Sequence, residues 1–412
     1  MAKAEPLGVW LHGVHVAELT AKRPWELHCT YTKEALEKWP GLSPVLSCSL
    51  PLQARRMSSS VFAAGLLPEG QHRQALAQQL GVAVNDIHSL LKRFGRDVAG
   101  ALVIAAQEPP ARPGTAIPYD TDTLEQEVLG LPERPLAIHG DSELSIAGLQ
   151  DKLLLVRLPR GGWGRPANGY PSSHILKVDD PVRPGLVDAE VQCLKLAAIV
   201  GLTSIQAELE TIGGKSCLIV SRFDRRVLAD GTVARIHQED LCQALARDPE
   251  AGMRRGKYQS AGGPSLKEAA GLLDRYAQDP REQLDRLLAA ATFTVLIGNA
   301  DAHGKNIALL HPTAEHIELA PLYDTVPTVL WPKLRRHGAM SVGGRYELDA
   351  ITVADLVDEA RSWRHDPKRA GRVVTQTAAA VLDAARELDS DSAVASHVVE
   401  RAGRLLASAA EG

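Results

Sequence analysis

The chain has little of what marks several functional classes. Aromatic residues fill only 4% of its 412 positions, and its five cysteines (Cys29, Cys48, Cys193, Cys217, Cys242) lack both a C-x-x-C pair and a histidine at metal-ligand spacing. That pattern predicts neither a zinc site nor a disulfide framework, and buried thiols are the expected state. An excess of one charge is also missing, since Lys plus Arg number 46 against 50 for Asp plus Glu, a net charge of −4. Such a balance gives no electrostatic footprint for wrapping DNA or coating an anionic membrane. No run approaches the roughly 18 uninterrupted apolar residues of a membrane span. The opening MAKAEPLGVW has neither the basic nor the apolar region of a signal peptide. A soluble, cytoplasmic protein without membrane contact is the expectation.

What is present divides along the chain. At roughly 100 to 200 residues per domain, the length allows two or three domains. The segment GVWLHGVHVAEL, residues 8 to 19, alternates apolar and polar residues around His12-Gly13 and predicts a β-hairpin. Residues 61 to 81 and 85 to 94 carry Leu, Ala and Ile at helical spacing, with Asn85 as a candidate N-cap. The Pro-rich stretch QEPPARPGTAIPYDTDT predicts a linker, with a boundary between residues 107 and 125. Short β-like runs follow at 153 to 158, 174 to 178, 207 to 212 and 216 to 223, interrupted by a helix from Asp188 to Val200. From Glu239 onward the pattern is helical, with Ala/Leu/Arg segments at 266 to 277, 281 to 298, 352 to 363 and 368 to 410. The fold class expected is α+β: an N-terminal subdomain over residues 1 to 108, a connecting segment over 109 to 138, a β-rich lobe over 139 to 226 and an all-helical lobe over 227 to 412.

Chemistry concentrates in FTVLIGNADAHGKNIALL, residues 293 to 310, where a polar loop holding Asp301, His303, Lys305 and Asn306 sits between apolar runs. Loops on rigid supports are where sites usually form. The interval Asp301-x-x-x-x-Asn306 matches a kinase catalytic loop, in which the Asp accepts the attacking hydroxyl's proton and the Asn holds Mg²⁺. Such an interval also arises by chance in solvated loops, so its weight comes from IELAPLYDTVPT, which places Asp324 after an apolar stretch. A kinase puts its second metal-binding acid at such a place; an ordinary Asx turn before Pro327 would read the same alone. Upstream, HILKV presents Lys177 among apolar neighbours, and the helix after it carries Glu190 near its start. A buried ammonium needs a carboxylate partner, which makes Glu190 the candidate. The small-residue turn in SELSIAGLQDKLLL, residues 142 to 155, could cradle phosphate oxygens with backbone N–H groups, although it is neither G-x-G-x-x-G nor a Walker A loop.

These residues resemble a known family. SIAGLQDK, HILK, SRFDRR, HQEDLCQAL, KYQSAGGPS, GNADAHGKN and LYDT, with the N-terminal LSCSLPL and FGRDVAGAL, closely resemble the HipA family of bacterial toxin kinases from type II toxin-antitoxin pairs, over about nine-tenths of the chain. The resemblance implies a bilobal protein-kinase-like fold whose β-rich lobe binds ATP, and a serine/threonine protein kinase that uses Mg²⁺. It assigns Asp301 and Lys305 to catalysis, Asn306 and Asp324 to the metal, and Ser145 to autophosphorylation. ATP would be held by Ala147, Gly148, Leu149, Gln150, Asp151, Lys152, Lys177, Glu190, Ser221, Phe223, His303, Gly304, Asn306, Tyr323 and Asp324, with Ser221, Arg222 and Phe223 contacting the adenine side as the hinge between lobes. Ser221 stands where family members often carry Glu, which leaves the adenine-side contact there to the backbone, and Leu149 and Asp151 replace the common Ala and Glu. The implied partners are a HipB-type helix-turn-helix antitoxin, operator DNA mainly through that antitoxin, and a protein substrate such as an aminoacyl-tRNA synthetase. Two other readings compete: a small-molecule phosphotransferase, and a catalytically silent corepressor that only binds antitoxin.

Overall fold

A two-residue turn in which His12 (φ 50°) and Gly13 (φ 81°) both adopt left-handed backbone joins the first two strands. Asymmetric turns of this kind match the twist of a hairpin, and glycine enters them without cost. Leu7–Leu11 and Val14–Arg23 accordingly pair antiparallel, with Leu11 opposite Val14. The structure, a computed structural model, describes residues 4–109, 114–131, 139, 151–388 and 391–409. It divides into two compact units, the first made of residues 1–178, 208–239 and 310–316 and the second of 179–207, 240–309 and 317–412.

The first unit contains a five-stranded and a six-stranded sheet, with a small two-stranded one beside them in the sequence at Arg225–Val227 and Val233–Arg235. A five-stranded sheet runs in the order Met57–Ser58, Glu26–Tyr31, Val14–Arg23, Leu7–Leu11 and Leu102–Ala105. One face buries Leu7, Val9, Leu19, Leu27 and Ile104 against helices that contribute Phe62, Leu76, Leu91 and Phe94. The helical stretch expected over 61 to 81 is broken into Ser60–Gly65 and Gly70–Leu80. Pro68 falls in the gap, where it lacks an N–H and disfavours helical backbone in the residue before it. The cap of the next helix, Ile87–Phe94, is Asp86 rather than Asn85: its carboxylate accepts from Ser89 N at 2.9 Å. Both residue types cap well, so rank alone could not choose between neighbours.

The second sheet has six strands in the order Ala207–Ile212, Lys215–Ser221, His174–Val178, Lys152–Arg157, Trp163–Ala167 and Thr115–Pro118. The edge strand Thr115–Pro118 and the helix Thr121–Gly130 both arise within the Pro-rich stretch. Alternation sends Leu153, Leu155, Leu176 and Val178 to one face, where they pack with Val128 of that helix. All five cysteines are buried and none forms a disulfide.

Between the sheets lies a buried ionic knot. The Asp224 carboxylate accepts from Arg222 Nε at 2.9 Å, Arg222 Nη2 at 2.7 Å, Arg225 Nη1 at 2.8 Å and Gly100 N at 2.7 Å. Asp97 accepts from Arg225 Nη2 at 2.9 Å and from Ser172 N at 3.0 Å and Ser172 Oγ at 2.8 Å. Burial opposes ionisation of both acids, and the surrounding guanidiniums outweigh it, holding both below the ordinary carboxylate range.

Two histidines in this unit push stability in the same direction. Burial, with Arg157 adding to it, lowers His174 to about 4. Burial and the ring of His311, 4.7 Å away, press His237 well below its usual range. Unfolded histidine titrates near ~6.5, so the unfolded chain binds more protons than the folded one as pH falls below that value. Their stabilising contribution is complete above pH ~6.5 and is lost as pH falls toward the folded values; Asp97 and Asp224 add further losses below ~4. The urea midpoint should therefore fall between pH 8 and pH 5, and a flat midpoint over that interval would contradict the assignment.

The second unit is a helical assembly around Pro280–Ile297, whose N-cap Asp279 and N1 Pro280 start it and whose left-handed Gly298 (φ 71°) ends it. Helices Leu266–Tyr276, Val353–Ser362, Pro367–Arg386 and Ala393–Ser408 pack on it, and Leu186–Ile199 packs on the last two of these. The continuous helix expected over 368 to 410 is two helices, the second starting at a Ser392 cap. The unit is also not purely helical: strands His337–Val342 and Arg345–Glu347 pair around Gly343-Gly344, both with positive φ. A strand pair this short leaves little periodic signal between long Ala/Leu segments. No helix among the described residues is long and apolar enough to cross a membrane.

Candidate active site

The loop after Gly298 is shaped by its own backbone. Asp301 O accepts from His303 N at 2.8 Å, and His303 O accepts from Asn306 N at 2.8 Å. Asn306 Nδ2 donates to Asp301 O at 3.0 Å, so both ends of the D-x-x-x-x-N interval are tied together. Gly304 permits the close packing of a second segment, since a Cβ there would lie 2.6 Å from Pro264 Cγ and 3.0 Å from Cys242 Sγ. Its N–H donates to Lys257 O at 3.0 Å, and its carbonyl accepts from Leu241 N at 3.0 Å.

Asn299 joins this loop to the one carrying Asp324. Its Oδ1 accepts from Asp301 N at 3.0 Å and its Nδ2 donates to Asp324 O at 3.1 Å. A second tie runs from Tyr323 Oη to Lys305 O at 2.7 Å. The loop of Asp301 and Asn306 is thereby tied to the loop of Asp324. Asp324 has φ 50°, a left-handed backbone uncommon outside glycine. Strain of this kind persists only where the surroundings enforce it, and it clusters at functional sites.

Lys305 Nζ donates to Asp240 Oδ2 at 2.7 Å, and both side chains are buried. Asp240 also caps the short helix Leu241–Ala244 through a capping box with Gln243. His303 is buried with its ring edge-on to Tyr258 at 5.3 Å. Glu190 is buried on the helix Leu186–Ile199, which starts two residues earlier than the expected Asp188.

In the first unit, Lys152 and Lys177 sit directly opposite each other on paired antiparallel strands. Cross-strand partners project to the same face with Cβ atoms about 5 Å apart, and this face is the one turned away from the Leu153/Leu155/Leu176 core. Both lysines are largely buried. Two ammonium groups held side by side favour a polyanion. Asp151 lies just before this strand, with Oδ1 3.4 Å from His72 Nε2. Ser221 ends the strand Lys215–Ser221, Phe223 lies in the turn after it, and Arg222 between them turns its guanidinium into the ionic knot. Ser145, Ala147, Gly148, Leu149 and Gln150 lie outside the described residues.

The donor set suits magnesium. Asn306 Nδ2 is used by Asp301 O, which leaves the amide oxygen Oδ1 with no hydrogen bond among the described residues. One amide oxygen and the Asp324 carboxylate match a hard ion that keeps several waters and takes few protein ligands. The described residues hold no cluster of three or more His, Cys, Asp or Glu positioned for a metal, so a transition-metal cage is not the arrangement seen there.

Three residues at the centre of this geometry were not singled out from the sequence: Asn299, Tyr258 and Asp240. Tyr258 Oη donates to Asp301 Oδ1 at 2.6 Å. The signal available was that a lysine packed beside Gly304 requires an acid, but periodicity does not say which acid.

Comparison with known proteins places the chain in a family. A family model described as the HipA-like C-terminal domain matches residues 144–385, and one described as the HipA N-terminal domain matches residues 7–105. The Sinorhizobium fredii protein Y4mE, which bears a kinase name, is 37% identical over 97% of both chains. The serine/threonine-protein kinase toxin HipA of Shewanella oneidensis is 28% identical over 79% of this chain and 76% of that one. A chain from the solved complex of Shewanella oneidensis HipA, HipB and operator DNA superposes with a TM-score of 0.81 at 25% identity, covering 98% of each chain. The fold is thus α+β and kinase-like, and the chain belongs to the HipA family.

Proposed function

We propose that this chain is an ATP-dependent serine/threonine protein kinase acting as the toxin of a type II toxin-antitoxin pair. The observation that carries the reading is the Asn299 clasp, which brings the loop of Asp301 and Asn306 to the loop of Asp324. In this reading Asp301 accepts the proton of a serine hydroxyl while that oxygen bonds to the γ-phosphorus, the bond to the β,γ-bridging oxygen breaks, and ADP leaves with its electron pair. Asn306 Oδ1 and Asp324 would hold Mg²⁺, whose charge would offset that of the phosphate oxygens. Lys152 and Lys177, with Glu190 as the carboxylate partner of Lys177, would take the remaining phosphate charge. The turn from Ala147 to Lys152 would face the phosphates, Ser221 and Phe223 the adenine, and His303, Gly304 and Tyr323 would line the nucleotide site. Lys305, held by Asp240, would steady the catalytic loop beside Asp301.

Autophosphorylation at Ser145 would add about −1.5 to −2 charges beside a phosphate site and so oppose nucleotide binding. By its family, the protein would pair with a HipB-type antitoxin, reach operator DNA mainly through it, and phosphorylate a protein such as an aminoacyl-tRNA synthetase. Calorimetry with ATP and Mg²⁺ tests the metal assignment. Asp324→Asn should weaken Mg²⁺-ATP binding at least tenfold and leave metal-free ATP binding and the thermal midpoint nearly unchanged, since a site-loop carboxylate adds little to the core. Equal Mg²⁺-ATP affinity in the variant, or no incorporation of label from γ-labelled ATP by the unaltered protein, would remove the support for this reading.

A further inference from the structure

We propose that Tyr258 is a positioning residue for Asp301: its phenol fixes the carboxylate so that one oxygen, Oδ2, is presented to the attacking hydroxyl. This rests on the reading of Asp301 as the proton acceptor. The terminal torsion of an aspartate is broad and roughly two-fold, so an unrestrained carboxylate sweeps both oxygens through many directions. Here Tyr258 Oη donates to Oδ1 at 2.6 Å, while Oδ2 has no hydrogen bond among the described residues. One oxygen is anchored and the other is available, an arrangement a base needs and a structural carboxylate does not.

The donor is itself held from two sides. His303 meets the Tyr258 ring edge-on at 5.3 Å and 87°, and the Arg335 guanidinium lies 4.6 Å from the ring centroid. A cation over the ring draws electron density from it, which strengthens the phenol as a donor. The segment carrying Tyr258 does not depend on the phenol for its place. Lys257 O already accepts from Gly304 N, and Gln259 Oε1 accepts from Ser341 N at 2.8 Å. These contacts dock the segment without the phenol, whose hydroxyl donates to the carboxylate of Asp301.

The test is the rate of label transfer from γ-labelled ATP into the protein itself, at saturating ATP, with half-saturating ATP as a separate readout. Tyr258→Phe should slow transfer about 10- to 100-fold, the scale on which misplacing a catalytic group acts, with half-saturating ATP within twofold. Installing 4-aminophenylalanine at position 258, which restores an N–H donor at the same place, should recover most of the rate. Its size-matched counterpart 4-methylphenylalanine, which has no donor, should not, and this pair decides the matter even if the Phe variant folds poorly. Asp301→Asn separates the two claims. If it abolishes transfer while Tyr258→Phe and the methyl variant run at the unaltered rate, the positioning role is overturned and the kinase reading stands. If Asp301→Asn itself retains full transfer, both fall.

Discussion

Asp301→Asn should cut phosphoryl transfer by about 10²- to 10⁴-fold, the range expected when a general base is removed. The substitution is conservative in shape. An asparagine oxygen can still accept from Tyr258 Oη, and the backbone contacts of Asp301 with Asn299 and Asn306 do not involve the carboxylate. Folding should therefore be preserved, and so should Mg²⁺-ATP affinity, because the proposed metal oxygens come from Asn306 and Asp324. What is lost is the ability to take a proton. A variant that binds Mg²⁺-ATP normally but labels neither itself nor an acceptor protein would match this account. Transfer within a few-fold of the unaltered rate would show that the proton leaves by another route.

The second large effect is on stability. Asp224→Ala should cost about 3–5 kcal/mol, because removing one member of a buried ionic set leaves its partners charged and uncompensated. In the folded chain three guanidiniums (Arg222, Arg225, Arg235) are set against two carboxylates, Asp97 and Asp224. Deleting Asp224 leaves Asp97 alone against all three and strips the partner from Gly100 N. Glu37→Ala provides the contrast. Its pair with Lys33 is exposed on both sides, and exposed pairs contribute little. Urea unfolding should show a clear drop in midpoint for Asp224→Ala and almost none for Glu37→Ala. Comparable midpoints would mean that the knot is replaceable by solvent, contrary to its burial.

The two substitutions also illustrate different kinds of legibility. Asp301 and Asn306 stood out because their interval is fixed by chemistry within a single loop, and a single loop can be read from one stretch of sequence. Asp324 stood out because an acid following an apolar run is conspicuous. The ionic knot is not legible in this way, although its residues lie in the motifs FGRDVAG and SRFDRR. Asp97 and Arg225 meet across 128 positions of chain, and nothing in local periodicity records such a partner. The family resemblance implies an adenine-side role for Ser221, Arg222 and Phe223, yet Arg222 spends its guanidinium on Asp224, Ser172 and Val98 O. Helix ends show the same limit on a smaller scale: Asn85 and Asp86 are equivalent as caps by residue type, and the packed helix selected Asp86.

By itself the sequence determined the α+β class, the N-terminal hairpin, the change from a β-rich first part to a mainly helical second part, and the loop that carries Asp301, His303, Lys305 and Asn306. These depend on period, turn chemistry and spacing, which act over a few residues. Tertiary structure alone decided that Asn299 bridges the two acidic loops, that Tyr258 anchors one oxygen of Asp301, that Lys305 pairs with Asp240, and that Lys152 faces Lys177. Each of these depends on which distant segments pack together. A hydrogen bond acts over about 3 Å, so only the folded chain can say which polar atoms come within its reach.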